Sequence, residues 1–176
     1  PYDTRATLKK LTKTIKAFKP KSLLFLGDTF HDQSSLQRMD KADTQSLLDI
    51  LNGFEIFWIE GNHDESHRPE NIKGYETLTI GTITFSHIAD ESPDTKNPEI
   101  SGHYHPAVKF THKGQKVRRP CFVATQKKLI MPAFGAYTGG LEIADPAYDF
   151  LDRPIGLYAL GSSRVVEVPS KNRVRV

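Results

Sequence analysis

Cysteine is nearly missing from this 176-residue chain. Cys121 stands alone, so no intrachain disulfide and no cysteine-based zinc ribbon can form, and a reducing cytoplasm is the expected compartment. Long apolar runs are missing too: the best are Leu23 to Leu26 and Leu129 to Met131, far short of the roughly 20 residues that a membrane span needs. No repeat, linker or low-complexity stretch is found, which excludes collagen-like, coiled-coil and disordered chains. The chain opens at Pro1 with neither an initiator methionine nor a signal-peptide pattern. What is present, 38% apolar and 26% charged residues over a length able to bury a core, describes one soluble α/β domain spanning 1–176.

Acidic residues are absent from 100–141, and that gap exposes a segregation hidden by the net charge of +3. Residues 1–21 carry seven Lys/Arg against Asp3 alone, whereas 22–99 carry fifteen Asp/Glu against five bases. The acid-free block then holds Lys109, Lys113, Lys116, Arg118, Arg119, Lys127 and Lys128, and the remainder balances. Such a block reads either as a surface that attracts phosphate or nucleic acid, or as the solvated face of polar strands.

Leu8, Leu11, Ile15 and Phe18 recur at helical spacing with lysines between them, so 3–18 is an amphipathic helix stopped by Pro20. Ser22 to Leu26 is a buried strand, much of 33–51 a second helix ended by Gly53, and Glu55 to Ile59 another strand with Phe57, Trp58 and Ile59 in the core. Strand, helix and strand in about 35 residues make a βαβ unit with parallel strands. Alternation then takes over: a hairpin around Gly81, β segments at 107–112, 117–124 and 128–131 with a Lys113-Gly114 turn, and a closing pair at 157–160 and 165–168. Residues 89–99 read as a loop, and 135–140 as a tight glycine-rich loop.

Four segments end in metal-competent groups: Gly27-Asp28, Gly61-Asn62-His63-Asp64, Ser86-His87 and Gly102-His103-Tyr104-His105. Taken singly, each has a plain reading. Asp28 could cap a helix, His87 could be a half-buried strand residue, and His103 and His105 could be loop histidines on one side of an extended segment. Their coincidence, converging on one edge of one sheet, favours a site for divalent Mn, Fe or Zn built from oxygen and imidazole ligands.

In order and spacing, GDTFH at 27–31, GNHD at 61–64, His87 and GHYH at 102–105 resemble the calcineurin-like metallophosphoesterases, and 118–140 looks like their bacterial DNA-ligase-associated subgroup. The resemblance implies a four-layer α/β/β/α sandwich with mixed sheets. It implies two divalent ions, Mn first with Fe, Zn or Ni as alternatives: Asp28 bridging both, Asn62, His87 and His103 on the second metal, and His105 on the first. His63, oriented by Asp64, would protonate the leaving oxygen, and His31 would lie behind the ligands. The family also opens with a strand ending Asp-x-His, a motif that no residue before Asp28 supplies, so an upstream strand is expected and the first metal site would be weak without it. The implied activity is hydrolysis of phosphate esters, DNA-related phosphodiesters foremost, in the cytoplasm and in the company of DNA-repair proteins. A small-molecule or nucleotide phosphatase, and a non-catalytic module on the same fold, are the alternatives.

Overall fold

The computed structural model describes residues 2–30, 35–62, 68–92 and 96–173, the side chains of Tyr2 and Leu36 excepted. They fall into two compact units, Pro1–Leu78 with Phe134–Thr138, and Thr79–Ala133 with Gly139–Val176.

The first unit begins with α1 (Tyr2–Phe18), which carries Asp3 in its first turn and Lys16 in its last, each complementing the helix dipole. Lys19, at φ 47°, ends it by donating its backbone N–H to Ile15 O at 2.8 Å. Strand β1 (Ser22–Leu26), helices α2 (Ser35–Arg38) and α3 (Lys41–Asn52), then β2 (Glu55–Ile59) and β3 (Gly74–Tyr75) follow. The single helix expected over 33–51 is two, because Asp40 sits at φ −57°, ψ 140° and accepts from Ala42 N, capping a fresh start. Strands β1, β2 and β3 run parallel in that order, with Leu26 opposite Ile59 at the carboxyl edge. Phe30, Leu47, Leu51, Trp58 and Ile72 form the core, with Leu8 and Phe25 packed against it; the Trp58 ring is 4.9 Å from Phe25. Residues 134–138 dock on one flank of α1, where Lys10 Nζ donates to Phe134 O at 2.8 Å and Ala136 N to Thr7 Oγ1 at 3.0 Å.

The second unit is a mixed sheet. Strands β4 (Thr77–Ile80), β5 (Ile83–Ser86), β6 (Glu99–Ser101), β7 (Pro106–His112), β8 (Gln115–Ala124), β9 (Lys128–Ile130) and β10 (Leu141–Glu142) take the order β10-β7-β8-β9-β6-β5-β4 among the described residues, β4 starting at the boundary of the units. Strand β11 (Gly156–Leu160) pairs with β8 and with β12 (Val165–Glu167), the expected closing pair. Strands β5, β6 and β9 are parallel, whereas β7, β8, β9 and β11 alternate in direction. Lys113 and Gly114 both take positive φ, the backbone that a two-residue hairpin turn needs to match strand twist. The buried core here is Val108, Cys121, Val123, Ile130, Tyr148, Leu151, Leu157, Ala159 and Val168. Strand β6 begins at Glu99, the last residue of the segment expected to be a loop, and the short β10 follows directly on the glycine-rich stretch. Nor do the four metal-competent junctions end strands of a single sheet: two belong to the β1-β2-β3 sheet and two to the mixed one, because the chain leaves the first sheet after β3.

Candidate metal centre

In the first unit, β1 and β2 are parallel and in register, so the chain leaves both at the same edge. Gly27 (φ 80°) and Asp28 (φ 48°) turn sharply off β1, and Asn62 follows β2 by three residues. The half-buried Asp28 carboxylate and the exposed Asn62 amide are thus brought to neighbouring strand ends, as expected. His31, His63 and Asp64 lie outside the described residues.

In the second unit, His87 follows β5 and His103 follows β6, the parallel neighbour of β5, so the same edge logic joins them. His103 Nδ1 lies 3.2 Å from His87 Nε2, with the rings at 82°. At most one of two nitrogens facing each other so closely can carry a proton between them. Two imidazoles on one cation, each about 2.1 Å from it at 90–110°, would stand about 3.0–3.4 Å apart, so the observed spacing fits a shared divalent ion. His87 is 5% exposed, which keeps water from competing for it.

The expectation that His103 and His105 share one side of an extended segment does not hold. Both are left-handed, at φ 62° and 46°, and Tyr104 N donates to Gly102 O at 2.8 Å, so the segment is a tight turn. Non-glycine residues rarely enter that region, Asp and His more readily than most, and surrounding contacts must hold them there. Several contacts are present. Tyr148 Oη donates to Tyr104 O at 3.1 Å, the Tyr104 ring packs against Tyr148 and Phe150, and Leu141 N donates to His105 O at 3.0 Å. Gly140 permits this last approach: a Cβ there would stand 2.7 Å from His105 O and 3.1 Å from the Ala107 Cβ.

A second support escaped the sequence reading. Glu99 is buried beside the site, accepting from Ser86 Oγ at 2.6 Å and from Asp90 N at 3.0 Å, and pairing with Lys128 Nζ at 3.0 Å. Lys128 also donates to Asp90 O. This network ties the residue before His87 to β6 and β9.

The same contacts break up the acid-free block. Lys128 is buried on Glu99, and Arg118 and Lys109 both pair with Glu142, the first acid after the block. Lys113, Lys116 and Arg119 remain exposed on the β7–β8 hairpin. Cys121 is packed, as expected, and burial pushes its thiol up to about 12. No described helix is long and apolar enough to cross a membrane.

No curated protein sequence matches the chain. Among solved structures it is similar to the crystal structure of Pseudomonas putida nuclease MPE, at 28% identity and a TM-score of 0.73, over 94% of this chain and 78% of that one. The family described as calcineurin-like phosphoesterase matches residues 2–133, which takes in every junction described above. On that match, with its α/β fold, mixed sheet and paired imidazoles, the chain belongs to the calcineurin-like phosphoesterases.

Proposed function

We propose that this protein is a divalent-metal-dependent phosphodiesterase that cuts nucleic acid, working in the cytoplasm in DNA repair. The observation that carries the reading is the His87–His103 nitrogen pair, spaced for a shared cation, in a chain similar over 94% of its length to a nuclease. Asp28, Asn62, His87, His103 and His105 hold the metals, with manganese the first choice for a set of oxygen and imidazole ligands. Bound there, the metals supply Lewis acidity and a water acidified toward neutrality. Buried His87 and half-buried His103 each present a ring nitrogen to a cation, and Asp28 offers a carboxylate whose two oxygens can reach two cations. His63, for which the family resemblance supplies Asp64 as partner, delivers a proton to the leaving oxygen of the cut diester.

The test is hydrolysis of an aryl phosphodiester and of a labelled oligonucleotide by full-length protein with Mn²⁺. Turnover that chelation abolishes, and that falls at least 100-fold in His103→Ala and His63→Ala, is expected. Absence of turnover on both substrates, or full activity in His103→Ala, overturns the reading.

A further inference from the structure

The basic N-terminal helix contributes none of the proposed metal ligands. Helix α1 presents three distinct faces. Leu8 packs into the core, and Thr7 and Lys10 bind the 134–138 loop on one flank. The other flank carries Arg5, Lys9, Lys13 and Lys16, which with Thr12 line a groove shared with Asp43 and Ser46 of α3. At 1.5 Å per residue these four cations rise in steps of about 6, 6 and 4.5 Å, a row about 16 Å long. Arg5 is engaged by Asp43 at 3.3 Å, while Lys9, Lys13 and Lys16 are exposed and form no ion pair among the described residues.

With Arg5 held by Asp43, the three lysines left on this face repel one another and add nothing to the core, and a polyanion lying along them would offset that repulsion. The row matches a chain of regularly spaced monoanions, and a nucleic-acid strand carries one charge every few ångströms. The hairpin cations are a weaker candidate for this role, because Lys109 and Arg118 are occupied by Glu142.

We infer that the α1 flank formed by Lys9, Lys13 and Lys16 is a phosphate-backbone docking strip for nucleic acid, separate from the residues that hold the metals. The identity of the ligand rests on the nuclease reading, but the binding does not depend on catalysis.

The experiment follows fluorescence anisotropy of a labelled duplex oligonucleotide bound to the full chain in chelator, so that nothing is cut, as salt is varied. The Lys9→Glu/Lys13→Glu/Lys16→Glu variant is expected to flatten the slope of log K against log salt by about 2.7, three contacts' worth. The milder Lys→Gln set is expected to give the same flattening, and the Lys→Arg set to keep the wild-type slope. A slope unchanged in the Gln set overturns the proposal. So does a slope lost in the Arg set, or displacement of the oligonucleotide by poly-glutamate at equal charge concentration, which would mark an acidic protein as the partner. A strip confirmed in a chain that hydrolyses no phosphodiester would leave the docking intact and refute only the catalytic reading.

Discussion

Replacing Lys128 by Met tests the network that braces the histidine strands. The lysine side chain is 6% exposed and its Glu99 partner 4%, so neither charge has water to fall back on. Met occupies similar volume and leaves no cavity, and the perturbation is therefore electrostatic. The Glu99 carboxylate keeps Ser86 Oγ and Asp90 N but loses the Lys128 ammonium that faced it. Breaking one partner of a buried pair costs about 3–5 kcal/mol, whereas exchanging both for neutral groups is often close to free. Lys128→Met should thus lose about 3–5 kcal/mol in urea unfolding followed by circular dichroism, and Glu99→Gln/Lys128→Met should recover most of it. At about 2–4 °C per kcal/mol for a chain of this size, the single variant should melt about 6–20 °C lower. A single-variant loss below about 1 kcal/mol, typical of a pair in water, would refute the argument. A double variant as unstable as the sum of its singles would refute it equally.

Gly140→Ala should push the His105 carbonyl away from a Cβ 2.7 Å off, costing about 1–3 kcal/mol and weakening Mn²⁺ binding measured by calorimetry; unchanged metal affinity would separate Gly140 from the site. The Cys121 thiol, fully buried and pushed up to about 12, should resist a thiol reagent at pH 8 until the chain is unfolded, and rapid labelling of native protein would contradict its packing. Burial also raises Tyr104 to about 12, so the folded chain holds protons that the unfolded chain has released above about pH 10. Stability present below that point should decline as pH climbs toward 12, and a Tyr104→Phe variant should decline less steeply in thermal melts.

The helices and strands that carry strong periodicity were legible in the sequence, α1 and the β1–β2 pair above all, because their apolar spacing is local. Asp28, Asn62 and His87 were legible as strand-end residues for the same reason, since an apolar run followed by a glycine or serine marks where a strand stops. Strand β6 was not. It has three residues, one of them Glu99, and its burial depends on Lys128, 29 positions away. The break before α3 was hidden because Asp40 is equally at home on an exposed helix face and at a cap, and only its backbone decides. The turn at His103 and His105 was hidden too, because Gly140 and Tyr148, which hold it, arrive some 40 residues later. The basic block stayed open between two readings for a related cause: counting charges along the chain cannot show that Glu142 folds back onto Arg118.

The left-handed backbones of Asp28, His103 and His105 set stability and function against each other at single positions. A residue with a Cβ in that conformation gives up about 1–2 kcal/mol that glycine would not. A chain selected for stability alone would drift toward glycine or asparagine at 28, 103 and 105, and would lose a carboxylate and two imidazoles in doing so. Thermostability engineering of this protein would therefore find its cheapest gains at the residues that the proposed metal site can least spare, and those positions are best held fixed while the core and surface are changed.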